Sequence, residues 1–518
     1  MLVHIIGAKS IGIDAVRVTV EVDIAFGVGI HLCGLGDAAV KESLLRTTTA
    51  LESVGYKVPG RKIVINLAPA DLRKSGTGYD LPIAIGIIAA SGQEELPGIG
   101  KYVIMGELGL DGSVRPVPGA LPFAELAIKE GFKGIILPSA SALEALELRD
   151  CDIFGVRTLS DVVRILEGKE DCRDLLVWNF PDPGGSSLEA PEPDIPDFAD
   201  IVGQEGAKRG IEIACAGNHN VILIGPPGSG KSSMAKAIAG ILPPMTREES
   251  LITSKIYSIA GKGDLRRGLI KTRPFRAPHY SASLPAIIGG GGGDGILPGE
   301  VSMAENGLLF LDEFGQMPKS VVEALRGPIE DRSVTISRLR SKVQYPASFM
   351  LVAASNPCPC GYWGDGDRCT CTPSQRRNYM ARLSGPIMDR IDIQIIAKRI
   401  ESSQILCSGR KDAVRESSAC IAARVLAARR RQLERFKDEG IHTNAEMSNR
   451  MIESYCPLSD GCRSLLTRLM DKCSLSMRAY FRIIKVARTI ADLEGAPDIL
   501  ERHIAEAASY RFLDRVEQ

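Results

Sequence analysis

The sequence predicts a multidomain α/β protein that ends in a helical unit, and three observations carry that prediction. The chain has 518 residues, room for several cores where domains average about 100–200 residues. Strand and helix periodicities alternate through residues 1–169 and again through 198–400, whereas residues 401–518 carry helical ones. A run rich in proline, glycine and acidic residues, from Trp178 to Pro196, marks a linker over 170–197 between the first two stretches.

Composition narrows the function classes. Lys+Arg and Asp+Glu both number 63, so any surface for nucleic acid has to be local. The 13 cysteines, an odd number scattered mostly singly, point to a reducing compartment, and the cytoplasm is the expected location. The most apolar stretch, Leu81 to Ala90, is far shorter than the ~20 residues of a membrane span, so no membrane association is expected.

In the first unit, Ile13 to Val22 alternates apolar and polar residues with β-branched enrichment and predicts a half-buried strand. Ala38 to Ser53 is an amphipathic helical pattern, Lys62 to Leu67 a buried strand, and Pro82 to Ala90 an apolar helix after a glycine-rich turn. Lys101 to Met105 and Gly134 to Leu137 read as further strands flanking a helix from Pro122 to Glu130. Arg61, Lys62, Arg73 and Lys74 suit a basic edge for nucleic acid, with solvated surface the more ordinary reading.

The second unit opens with Asp200-Ile201-Val202-Gly203-Gln204, the helical pattern Glu205 to Ala216 and the strand Asn220 to Ile224. Gly225-Pro226-Pro227-Gly228-Ser229-Gly230-Lys231-Ser232 then satisfies G-x-x-x-x-G-K-[ST] without a mismatch, followed by a helix from Ser233 to Ala239. This is the strand–loop–helix setting in which backbone N–H groups and a helix N-terminus cradle phosphates. Lys231 is expected on the β/γ-phosphates of ATP and the Ser232 hydroxyl on Mg2+. Leu308 to Leu311 is an apolar strand ending in Asp312 and Glu313, which suits a magnesium-holding carboxylate next to one that polarises the attacking water. Ser348 to Asn356 is another buried strand, ending in an amide.

Two inserts interrupt this unit. One runs from Arg273 through the polyglycine stretch at Gly289 to Gly295; the other, Ser333 to Tyr345, reads as a hairpin about a basic turn. Arg338, Arg340 and Lys342 on that hairpin are candidates to track a DNA backbone, with edge charges that discourage strand pairing the equal alternative. Cys358, Cys360, Cys369 and Cys371 form two C-x-C pairs eight residues apart, a spacing that suits tetrahedral zinc and leaves redox-active or free thiols as alternatives. Beyond residue 401, helical patterns cover Ala413 to Lys437, Gly461 to Lys472, Ser476 to Glu494 and Ile499 to Phe512, which predict a helical lid. The run Arg429-Arg430-Arg431 with Arg435 reads as a solvated face or a nucleic-acid contact.

Several of these segments resemble known families. Ala68 to Ala84, with Gly106-Glu107-Leu108 and Ile135 to Pro138, resembles the proteolytic domain of Lon proteases, which implies a Lon-protease-like N-terminal α/β domain. Asp80 occupies the position of the serine nucleophile and Leu121 that of the lysine base, so the resemblance does not extend to proteolysis. The D-x-x-G-Q entry resembles AAA+ ATPase modules, which implies an AAA+ P-loop NTPase core with Ile201 and Val202 near the adenine. Asn356 resembles the sensor-1 residue, Arg390 in Ser384 to Asp392 the arginine finger, and Arg478 in Ser476 to Arg482 the sensor-2 arginine. Nearly end to end, the chain resembles the magnesium-chelatase-like YifB/ComM family. That resemblance implies a hexameric ring motor acting on single-stranded, duplex or branched DNA, a branch-migration helicase in natural transformation. The alternatives are a magnesium-chelatase-type motor subunit or a protein-remodelling ATPase without DNA activity.

Overall fold

The alternation at the start of the chain folds into one mixed sheet. The computed structural model describes residues 2–169, 171–180, 195–262, 268–291, 296–338, 341–364, 368–383, 387–399, 415–473 and 475–511. Strand β1 (Val3–Ile11) pairs antiparallel with β2 (Asp14–Ala25), and β2 with β4 (Lys62–Ala68). Strand β3 (Gly29–Cys33) lies parallel to β4 at one edge. On the other side β5 (Tyr102–Ile104), β8 (Gly134–Pro138) and β9 (Asp152–Val156) follow β1 in parallel, giving the order β3-β4-β2-β1-β5-β8-β9. Strands β6 (Glu107–Leu108) and β7 (Val114–Arg115) form a separate ribbon. The sequence reading assigns no element to β1, where Gly7 and the Lys9-Ser10 pair interrupt strict alternation.

Helix Ala38–Ser53 starts where Asp37 Oδ1 accepts from the Val40 N–H at 2.8 Å. Helix Asp80–Ser91 is buried over nearly its whole length, and so starts two residues before the apolar pattern shows. Residues 171–180, expected within the linker, instead close the first core: Val177 is 1% exposed, and Trp178 and Phe180 pack against the same cluster. The linker stretch 181–194 lies outside the described residues. Lys74 is not an edge residue either, because it is fully buried with Nζ on the Pro69 carbonyl.

The second sheet is parallel throughout. It comprises β10 (Val221–Ile224), β11 (Phe275–Arg276), β14 (Leu308–Leu311), β17 (Met350–Ser355) and β18 (Ile393–Ile396), in the order β11-β14-β17-β10-β18. Every residue of β10, β14 and β17 is buried, as strands covered on both faces must be. The inserts add two ribbons, β12 (Gly289–Gly290) with β13 (Leu297–Pro298) and β15 (Ser333–Arg338) with β16 (Ser341–Pro346). Residues 292–295 of the polyglycine run, and Arg340, lie outside the described residues, as does the side chain of Arg338.

The first unit docks on the second through helix Arg247–Ala260. Lys255 Nζ lies 3.2 Å from Asp14 Oδ1 and also meets Glu125, while Gly119 N donates to the Ser258 carbonyl at 3.0 Å. The C-terminal helices Ser418–Arg435, Asp460–Cys473, Met477–Glu494 and Glu501–Ser509 share one apolar cluster with β10 and helix Glu205–Gly217. The arginine run is mostly spent inside this contact. Arg429 donates to the Cys215 carbonyl at 2.8 Å, Arg431 to the Asp492 carbonyl at 2.6 Å, and Arg435 pairs with Asp492 at 2.5 Å. The expectation of a solvated or nucleic-acid face therefore fails for Arg429 and Arg435, because a buried carbonyl and Asp492 require donors, whereas Arg430 and Arg431 remain exposed.

Candidate nucleotide-binding site

Phosphate-binding geometry follows from where β10 ends. Ligands of open parallel sheets sit beyond the carboxyl ends of the strands, and here β10, β14 and β17 all deliver polar residues to one cavity of about 390 Å³. The loop Gly225 to Gly230 curls over it, with Gly228 and Gly230 at φ +76° and +85° and, among the described residues, nothing within 4 Å of where a Cβ would stand. Helix Lys231–Ala237 begins at the loop's last turn and aims its N-terminus at the opening.

Within the cavity Lys231 Nζ donates to the Gly225 and Pro226 carbonyls at 2.7 and 3.0 Å and to Asn356 Oδ1 at 3.2 Å. Burial lowers its pKa, against the opposing pull of Asp312 and Glu313. Ser232 Oγ donates to Asp312 Oδ2 at 2.9 Å, and Asp312 Oδ1 accepts from the Glu313 N–H at 2.8 Å. Glu313 itself has φ +49°, an uncommon backbone for a non-glycine residue, which turns its side chain toward the cavity it lines. Ser229 Oγ is buried and has no hydrogen-bond partner among the described residues. The structure thus brings together Pro227, Gly228, Ser229, Gly230, Lys231, Ser232, Asp312, Glu313 and Asn356 as lining.

Ile201 and Val202 lie on the entry turn, Ile201 buried and Val202 half-buried, next to Gln204. Gln204 is a residue the sequence reading did not single out. Its Nε2 donates to the Ser229 carbonyl at 3.2 Å and to the Lys398 carbonyl, stitching the entry turn to the phosphate loop. The last position of the D-x-x-G-Q element was the available signal. Ser355 and Tyr379 are also new, with hydroxyls 3.2 Å apart beneath Glu313's turn.

The two arginines do not join this cavity within one chain. Arg390, expected to be exposed near a strand edge, is 5% exposed with Nη2 2.6 Å from Glu330. A tight turn over Met388–Arg390 folds the side chain back onto helix Arg326–Asp331. Arg478 is 61% exposed and lies 3.8 Å from Asp389, outside the lining. Lys342 is exposed on β16.

The four cysteines cluster directly after Asn356. All four sulfurs lie within 4.8 Å of one another, with Cys358–Cys360, Cys358–Cys369 and Cys360–Cys369 at 3.3, 3.8 and 3.7 Å. Backbone N–H donors, Tyr362 foremost, pull the Cys360 thiol down to about 6, while burial pushes the Cys358 thiol up.

Such convergence of a lysine, a serine, two carboxylates and an amide at the strand ends of this sheet defines an AAA+-type ATPase. The chain belongs to the YifB/ComM-type magnesium-chelatase-like family. The family described as "Magnesium chelatase, subunit ChlI" matches residues 197–405, "Subunit ChlI of Mg-chelatase" matches 20–141, and "Magnesium chelatase, subunit ChlI C-terminal" matches 415–511. YifB of Salmonella typhimurium is 41% identical over 508 residues, 98% of this chain and 96% of that protein. Competence protein ComM of Haemophilus influenzae is 40% identical over 513 residues, 98% and 97% of the two chains. At greater distance, the DNA replication licensing factor Mcm6 of Drosophila melanogaster is 24% identical over 347 residues, 62% of this chain and 38% of that protein. Among the described residues no helix is long and apolar enough to cross a membrane.

Proposed function

We propose that this chain is the subunit of an ATP-driven, hexameric DNA motor, a branch-migration helicase acting on recombination intermediates in natural transformation. The observation that carries the ATPase part is the assembled pocket, in which Lys231 meets Asn356 and Ser232 meets Asp312. Its donor set fits a nucleotide with Mg2+: an ammonium, an orphaned Ser229 hydroxyl and a glycine cradle face a carboxylate that already holds the serine. ATP with its ion supplies the phosphoryl group to be transferred. With nucleotide bound, Lys231 would carry charge to the phosphate oxygens, Ser232 and Asp312 would hold the ion, Glu313 would polarise water, and Asn356 would orient it. Ile201 and Val202 border the adenine.

In this reading Arg390 serves a neighbouring subunit's nucleotide once freed from Glu330, and Arg478, exposed on its helix, approaches the γ-phosphate from the lid. The DNA step is supported by likeness to a competence protein over the full chain and to a replication licensing factor over part of it. Lys342, with Arg338 and Arg340, contacts the DNA backbone. The first unit has a Lon-protease-like fold without proteolysis, since Asp80 is held by Arg46 and Leu121 is fully buried. The four cysteines hold zinc, and the protein works in the cytoplasm. The family description also favours a second reading, a magnesium-chelatase-type motor. ATP hydrolysis measured with and without single-stranded, duplex and four-way-junction DNA separates the two. Stimulation that disappears in Glu313→Gln supports the DNA motor; robust hydrolysis indifferent to every DNA sinks it.

A further inference from the structure

We infer that the four-cysteine knuckle is a zinc clip that holds the phosphate loop in its nucleotide-binding shape, so that nucleotide affinity depends on the metal. The inference rests on the reading that Gly225 to Ser232 binds nucleotide. Its first support is the sulfur geometry. Four thiolates arranged tetrahedrally about 2.3 Å from a zinc ion stand about 3.8 Å apart, and the Cys358–Cys369 and Cys360–Cys369 pairs are at 3.8 and 3.7 Å. A disulfide, at about 2.05 Å, is far from any of these separations. Two backbone N–H groups point at the sulfurs, Trp363 N at Cys358 Sγ (3.3 Å) and Cys360 N at Cys371 Sγ (3.4 Å), as thiolate charge requires.

The second support is what the knuckle touches. Cys358 and Cys360 directly precede Gly361, at φ +86°, and Gly361 lies on the phosphate loop. A Cβ at Gly361 would stand 2.9 and 3.0 Å from Pro227 Cδ and Cγ, and 3.8 Å from Asn356 Cγ. Both ends of the knuckle are anchored in the site. Asn356 precedes it, and helix Pro373–Leu383 follows it with Tyr379 against Ser355. Such a short loop, with Tyr362 and Trp363 its only aromatics, has little apolar surface to bury, so its shape has to come from cross-links. Without the metal, the hydrogen bond that Gly361 N donates to the Cys358 carbonyl and the Arg376 guanidinium over Trp363 are left to hold Gly361 against Pro227.

The test uses the full chain and a fluorescent ADP analogue. Zinc content is measured on the purified protein, and analogue affinity is then titrated for the loaded protein, the chelator-stripped protein and Gly361→Ala. The expected result is one zinc per chain, an affinity loss of at least about tenfold on stripping, and recovery when zinc alone is returned. Gly361→Ala, whose Cβ would meet Pro227 at 2.9 Å, is expected to keep its zinc and lose affinity, with faster amide hydrogen exchange at Gly225 to Gly230, which tests the contact between knuckle and loop. Where the stripped protein unfolds, Cys369→Ser supplies the metal-poor state without adding bulk against the phosphate loop, and unchanged affinity at its lowered zinc content overturns the coupling. Unchanged affinity in the stripped protein overturns the coupling, and protein without metal overturns the clip. No analogue binding in any form overturns the nucleotide-site reading instead.

Discussion

Two carboxylates at strand-to-helix junctions, Glu313 in the second sheet and Asp80 in the first unit, show opposite solutions to placing an acid near a helix. Asp80 is fully buried and saturated. Arg46 Nε and Nη2 donate to it at 2.9 and 3.2 Å, and Leu108 N at 3.3 Å. Burial still pushes its pKa up, with Arg46 opposing. Glu313 sits on a strained backbone at the wall of an open cavity, beside an orphaned Ser229 hydroxyl and a desolvated Lys231. The difference teaches what separates a site from a scaffold: a scaffold closes its polar groups on each other, while a site keeps them aimed at space.

The comparison breaks most readily at the cavity. Glu313→Gln should lower ATP turnover by about 10²–10⁴-fold with nucleotide binding retained, and Lys231→Ala should remove both; steady-state hydrolysis and an equilibrium titration check them. A Glu313→Gln enzyme that turns over normally would put catalysis elsewhere. On the scaffold side, Arg46→Met leaves Asp80 buried without its cation and should cost about 3–5 kcal/mol in urea unfolding of the first unit. Turnover per folded molecule should hold, and a specific loss of turnover would make Asp80 part of a site after all.

A milder effect sharpens the contrast through pH. Burial pushes Glu305 from 4.5 up to about 8, offset by the Ser348 N–H and Arg332 and reinforced by Glu249. The folded chain then holds a proton that the unfolded chain releases between these values, so this group's stability is complete below about pH 4.5 and fades as pH rises to about 8. Glu305→Gln should flatten that slope, at most about 1.4 kcal/mol per pH unit, and raise the melting temperature most at pH 8. An unchanged pH profile would show that Glu305 stays ionised. Smallest of all, Lys342→Ala should reduce the salt slope of DNA binding by about 1 while leaving basal hydrolysis intact; an unaltered slope removes the hairpin from the DNA path.

Much of this was legible in the chain. The phosphate loop, the strand ending in Asp312 and Glu313 and the strand ending in Asn356 are short local patterns, and local patterns survive folding because each is set by its own backbone chemistry. The helix Ala38 to Ser53 was readable end to end for the same reason, with Asp37 capping it. Strand β1 was not, since its identity comes from pairing with β2 rather than from its own alternation. Trp178 and Phe180 looked like linker because proline and glycine follow them, yet the first core had room for both.

What the sequence determined by itself was therefore the chemistry available: a phosphate cradle, two carboxylates, an amide and four thiols at fixed spacings. Only the tertiary structure decided how those groups are used. It sealed Asp80 with Arg46 across 34 residues of chain, turned Arg390 inward onto Glu330, spent Arg429 on a carbonyl and Arg435 on Asp492, and laid Gly361 against Pro227. The reason is physical: a residue's chemistry is covalent, whereas its partners are chosen by which surfaces burial brings within a few ångströms.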